Sequence, residues 1–196
     1  MIIGVAGHRI LTELHPLEMA ADSVYQRLAG LDPCNGWQVL SSLAEGADRL
    51  LVECLWQRCP STRLTAVLPL PAAAYRVDFT SPAEVERFDQ LLGRAGQVLT
   101  LSPVPTRTAA YLSAGLWLVE RCDVLIAIWD GQPSQGEGST AEVVAQARRL
   151  GSPLAIIRVG NRLPGTRTPT SLGAQQGMVL YEKFEVLEAQ FETNCG

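Results

Sequence analysis

Six short apolar runs, each nearly uninterrupted, recur along the chain: Ile2 to Ala6, Gln38 to Leu43, Arg63 to Leu68, Gln97 to Leu101, Val124 to Trp129 and Leu154 to Val159. A strand with one wet face alternates apolar and polar residues. A run without alternation suits a strand covered on both faces, as in a parallel sheet. The segments between the runs carry the helical period. Leu17, Ala20, Ala21, Val24 and Leu28 form one apolar stripe, and Ala47, Leu50, Leu51, Cys54 and Leu55 form another. Ser81-Pro82-Ala83-Glu84 opens a third helix with a capping box and Pro at its first position. Ala109 to Cys122 is apolar almost all round, which predicts a deeply buried helix, and Thr140 to Leu150 is closed by Gly151. Strands alternating with helices give βαβ units with right-handed crossovers. The expected architecture is a three-layer α/β fold with a mostly parallel sheet over residues 1–160. Asn161 to Gly177 has Pro, Gly and no period, so it reads as a loop. Tyr181, Phe184, Leu187, Glu188 and Phe191 then suggest a short amphipathic helix packed on the same domain over 161–196.

Composition narrows the function classes. A chain of 196 residues with 47% hydrophobic and 18% charged residues is ordered and of single-domain size. Sixteen basic against 20 acidic side chains give a net charge of −4, so nucleic acid is expected to be an unlikely partner. Five cysteines (Cys34, Cys54, Cys59, Cys122, Cys195) form no CxxC pair and read as reduced, mostly buried thiols of a cytoplasmic protein. With only His8 and His15 besides, no metal site is expected. No apolar run approaches membrane-helix length, so no membrane association is expected. The apolar helix and the aromatic tail offer more apolar surface than one sheet face needs, which points to a homo-oligomer.

Open parallel sheets bind ligands beyond the carboxyl ends of their strands. Three polar, glycine-bearing turns fall there: Gly7-His8-Arg9, then Glu45-Gly46-Ala47-Asp48, then Asp130-Gly131 with Gly136-Glu137-Gly138-Ser139-Thr140. Glycines let a backbone approach an anion, and helix N-terminal amides donate to phosphate. The amides of Gly138, Ser139 and Thr140 are therefore expected to point into the crevice, with Arg9 contributing a guanidinium. Ser139 to Glu142 equally fits a plain capping box, which would turn Glu142 back onto its own helix. Glu45 and Asp48 are candidates for a ribose hydroxyl or for simple helix-dipole partners. Asp130 either faces the ligand or stabilises its turn with Gly131. Tyr75, Arg76, Asp78 and Phe79 are a lid or ordinary loop packing, the latter favoured. Asp123, at the far end of its strand, reads as structural. No GxSxG, HExxH, Walker A or GxGxxG pattern occurs.

Four pieces in order, Ile3 to Arg9, Ser41 to Asp48, Cys122 to Gly131 and Gly136 to Glu142, resemble the SLOG superfamily, which joins the DNA-processing Smf/DprA proteins and the Lonely Guy (LOG) phosphoribohydrolases. They cover about two-thirds of the chain. The second piece is similar to the Ser-Gly-x-Ala-x-Gly-x-Asp turn of the DNA-processing branch, the fourth to the Pro-Gly-Gly-x-Gly-Thr-x-x-Glu motif of the LOG branch. The resemblance implies a Rossmann-like fold and a bacterial, nucleotide-like small-molecule ligand at Gly7, His8, Arg9, Glu45, Gly46, Asp48, Asp130, Gly131, Gly136, Gly138, Ser139, Thr140 and Glu142. It also points toward pairing through helices. The LOG catalytic pair is missing: Val143 stands where its glutamate would fall and Ala114 where its arginine would. The expectation is a ligand-sensing nucleotide-binding module with no cofactor and no assigned catalytic residue. The alternative is an enzyme cleaving the N-glycosidic bond of a nucleotide, with Glu45, Asp130 or Glu142 as its acid.

Overall fold

The computed structural model describes residues 1–33, 36–133, 138–163 and 165–192. The chain runs β1 (Ile2–Gly7), α1 (Leu14–Leu31), β2 (Gln38–Ser41), α2 (Ala47–Arg58), β3 (Arg63–Leu68), α3 (Ala72–Arg76) and α4 (Pro82–Gly93). It continues through β4 (Gln97–Thr100), α5 (Arg107–Val119), β5 (Val124–Trp129), α6 (Thr140–Leu150), β6 (Leu154–Arg158), β7 (Val179–Glu182) and α7 (Phe184–Glu192). One seven-stranded sheet has the order β4-β3-β2-β1-β5-β6-β7. Every pairing is parallel except the last, in which β7 runs antiparallel to β6. This is a Rossmann-like α/β fold.

The unbroken apolar runs have the cause expected of them. In β5 every residue is buried, with Val124, Ile126 and Ile128 in one core and Leu125, Ala127 and Trp129 in the other. Each side chain of this kind taken from water is worth about 1.5–3 kcal/mol, and the alternation feeds both layers. The first core meets α1, α2, α4 and α7, and the second meets α6. At the start of α4, the Ser81 hydroxyl accepts from the Glu84 N–H at 3.2 Å, with Pro82 at the first helical position. Asp123 is structural, its carboxylate accepting the Ile2 N–H at 2.7 Å.

Three features differ from expectation. Helix α5 buries only one stripe, Ala110, Ala114, Gly115, Leu118 and Val119, because it has the sheet beneath it and α6 on one flank; Leu112, Leu116 and Trp117 stay half-buried. The segment after β6 contributes β7, so Tyr181 lies in a strand and the terminal helix begins only at Phe184. Cysteines 54 and 122 are free, their thiols pushed up by burial to about 11 and about 12, but Cys59 is disulfide-bonded. A pair brought together by folding needs no CxxC spacing, and the argument from reduced thiols to the cytoplasm falls with it. Cys34 and Cys195 lie outside the described residues. No described helix is long and apolar enough to cross a membrane.

Candidate functional site

The connections leave β1 and β5 toward opposite faces of the sheet, so a crevice opens between their carboxyl ends. A cavity of about 600 Å³ occupies it. Two glycines fix its floor by close approach. A Cβ on Gly7 would lie 2.5 Å from the Ala47 Cβ, and one on Gly46, at φ +90°, would lie 2.4 Å from the Arg9 carbonyl oxygen. The turn after β2 therefore clasps the turn after β1, and the Ala47 N–H donates to the His8 carbonyl at 3.0 Å. This clasp fixes the backbone from which Arg9 projects.

Arg9 lies against the Tyr111 ring, 4.8 Å from its centroid. Burial opposes its charge, but Tyr75, Tyr111 and Asp78 outweigh that and raise its pKa. It has no carboxylate within ion-pair distance among the described residues, although eight other arginines do. His8 Nε2 accepts the Asp130 N–H at 3.1 Å and stands 3.2 Å from Asp130 Oδ1. That bond places the ring proton on Nδ1, and burial lowers the pKa of His8 further toward the neutral form. Burial works against the Asp130 charge, but hydrogen bonds from the Gln132 N–H and the Asn161 side chain, with the charge His8 gains when protonated, overcome it and hold the pKa low.

The remaining carboxylates have different employment. Glu45 accepts both the N–H and the hydroxyl of Thr80, pinning the link between α3 and α4. Asp78 is held by Arg107 at 2.8 Å and by the Tyr111 hydroxyl. Asp48, in the first turn of α2 and 4% exposed, has its pKa pushed up to about 7 by burial. It lines the cavity and accepts the Ala44 N–H at 3.3 Å.

On the far wall, Gly131 adopts φ +79° beside the Arg158 guanidinium, and Gly138 adopts φ +81° with the Thr108 carbonyl where a Cβ would stand at 2.8 Å. Ser139 caps α6 in a capping box with Glu142, whose carboxylate accepts the Ser139 N–H at 3.1 Å. Glu142 thus turns onto its own helix, and the Ser139 amide is consumed; that amide does not face the crevice as expected. Thr140 begins the helix, and Gly136 lies outside the described residues. Val143, 6% exposed, lines the cavity beside Gly115 as an apolar wall.

The Tyr75 segment is packed rather than open. Tyr75 is 1% exposed and meets Phe79 and Phe88 at ring centroid distances of 5.1 and 5.7 Å. Sequence reasoning missed the segment after β6. Arg162 and Pro169 form an antiparallel bridge, and the Leu163 N–H donates to the Thr168 carbonyl at 2.9 Å. This small hairpin brings Arg162 and Arg167 to the cavity, and Asn161 ties its base to Asp130 Oδ2 at 2.8 Å. The available signal was a Gly165 turn with arginines on either side. No cluster of described His, Cys, Asp and Glu suits a metal.

The fold is of the Rossmann-like α/β class, with its crevice at the switch between β1 and β5. No family model matches the sequence, and no curated protein matches it. Among solved structures, DNA processing protein A from Streptococcus pneumoniae is similar with a TM-score of 0.52 and 17% identity, covering 83% of this chain and 51% of that one. The chain thus spans about half of that protein. DNA processing protein A from Helicobacter pylori, known for a single-stranded DNA binding mode, gives 0.52 and 19%, over 97% of this chain and 73% of that one. The structural-genomics protein TM1055 gives 0.47 and 16%, over 78% and 71%. At these identities the likeness is one of fold. It corrects one expectation: a protein of this fold binds single-stranded DNA, so the net charge of −4 does not make nucleic acid an unlikely partner. Net charge averages over the surface, whereas binding responds to the local field.

Proposed function

We propose that the cavity binds a nucleotide or nucleotide derivative through its phosphate, as a ligand-sensing module. The observation that carries this reading is Arg9: a half-enclosed guanidinium, backed by Tyr111, with no ion-pair carboxylate among the described residues and lining the same cavity as the start of α6. The acids named for a glycosidase are otherwise engaged, Glu45 by Thr80, Asp130 by His8 and Asn161, and Glu142 by Ser139. That supports holding a ligand over cleaving it. A second reading, supported by the likeness to the single-stranded DNA-binding protein from Helicobacter pylori, is that the nucleotide belongs to a single strand.

Calorimetric titration of nucleoside monophosphates tests the first reading. Arg9→Ala is expected to weaken binding by about 10- to 100-fold, the value of a hydrogen bond to a charged group. Unchanged affinity in that variant, or release of free base by the parent at an enzymatic rate, would refute it.

A further inference from the structure

The hairpin after β6 is fixed over the cavity by more than its own bridge. Gly160 passes so close to Thr170 that a Cβ there would lie 1.9 Å from the Thr170 carbonyl oxygen. The Gln176 side chain is 9% exposed and braces the segment. Its Oε1 accepts the N–H groups of Gly160 at 3.0 Å and Leu172 at 3.3 Å, while its Nε2 donates to the Thr12 carbonyl at 3.0 Å. The Ser171 hydroxyl donates to Glu13 Oε2 at 3.0 Å. With Asn161 bound to Asp130, the hairpin is tied at its base to β5 and behind to the segment that precedes α1.

So anchored, it presents Arg162 and Arg167 at the cavity. Neither makes an ion pair among the described residues. The four described carboxylates at the same cavity are taken, Asp130 by Asn161 and the Gln132 N–H, Asp78 by Arg107, Glu45 by Thr80 and Asp48 by the Ala44 N–H. Arg162 is close enough to His8 for its charge to oppose protonation of that ring. The hairpin therefore reaches toward the turn that carries Arg9, from the other side of β5. Strands β1 and β6 flank β5, which sets their axes about 10 Å apart at the usual strand spacing. Two exposed guanidiniums held by a braced hairpin line the same cavity as a third, and call for a second anionic group on the ligand.

Building on the proposed nucleotide site, we infer that the 162–169 hairpin forms a second anion-binding wall and that the ligand is a nucleotide bearing two phosphate groups. Two ligand types carry that chemistry, a linear dinucleotide with a 5′ phosphate and a pyrophosphate-linked nucleotide sugar. In either, one phosphate lies at Arg9 and the other at Arg162 and Arg167.

The test is titration of 5′-AMP, pApA and ADP-ribose into the parent, Arg9→Ala and Arg162→Ala/Arg167→Ala. Both hairpin arginines are exposed, so the double variant should melt like the parent. It is expected to lose at least about tenfold in affinity for pApA or ADP-ribose and less than about threefold for AMP, and the ligand that suffers names the source. Equal losses for AMP and the two-phosphate ligands, or no loss for any, would overturn the inference. If AMP binding depends on Arg9 while the double variant behaves as the parent, the nucleotide site survives and the second wall falls. If the double variant loses its ligand while Arg9→Ala does not, the wall stands and the Arg9 reading falls. Absence of binding by the parent overturns both.

Discussion

Burial pushes the Asp48 carboxyl up to about 7, with only partial relief from the Ala44 and Ser42 N–H groups, Arg9 and Arg49. An unfolded aspartate ionises near 3.8, so between about pH 4 and pH 7 the folded chain keeps a proton that the unfolded chain releases. Stability linked to this residue therefore falls as pH rises through that window, and above pH 7 the full penalty applies. A rise from 3.8 to about 7 corresponds to a penalty on the order of 4 kcal/mol. His8 acts with the opposite sign: its lowered pKa makes stability fall as pH drops below its ordinary 6.5. Urea unfolding of the parent and Asp48→Asn at about pH 4 and about pH 8 separates the two, since His8 is common to both. The variant should gain on the parent by a few kcal/mol at the higher pH. A constant difference across the range would show that Asp48 ionises normally in the fold.

Helices α5 and α6 meet at Gly115, where an added Cβ would stand 2.4 Å from the Val143 Cγ2. Alanine has the higher helix propensity by about 0.8–1 kcal/mol, so Gly115→Ala would stabilise an isolated α5. In the protein, Val143 is 6% exposed and β-branched, with little freedom to yield, and overpacking of this kind costs about 1–3 kcal/mol. The net expectation is a lower melting temperature for Gly115→Ala, partly restored in Gly115→Ala/Val143→Ala, where the space returns. Thermal unfolding of the two variants checks this, and a higher melting temperature in the single variant would contradict it. The contact was not legible in the sequence. Val143 was legible as the residue that displaces a LOG-type glutamate, but its packing partner sits on a helix whose apolar periphery hid which stripe faces inward. Five of the six parallel strands were legible because burial on both faces leaves an unbroken apolar run; β4, expected to be buried like them, lies at the sheet edge and is mostly exposed. Strand β7 was not: at the sheet edge Val179 to Glu182 have the burial pattern of no single period, and Tyr181 with Phe184 mimics the spacing of a helix. The turns after β1 and β2 were legible through Gly7 and Gly46, whose lack of a side chain the clasp requires. The arginine hairpin was not, since a bridge of two residues leaves no period to read.

Across the described residues, half of the basic side chains are neutralised where they stand. Among the described residues, eight of the sixteen basic side chains form ion pairs, including Arg58 with Asp22, Arg87 with Glu53 and Arg148 with Glu182. Arg9, Arg162 and Arg167 are exceptions that share one cavity. An acidic chain can thus carry a local positive field, and the extent of that field decides how a single strand would be held. Each phosphate neutralised on a single strand contributes about −0.7 to the slope of log affinity against log salt. A groove running along the surface would engage many phosphates and give a steep slope. A field confined to the cavity engages only those that enter it. An oligonucleotide of about ten residues should therefore show a slope near about −1.4, the value for two phosphates, and close to that of pApA. Fluorescence anisotropy at several salt concentrations measures both. A slope several-fold steeper for the oligonucleotide would place most of its contacts outside the cavity, and would make the strand itself, rather than a nucleotide within it, the object recognised.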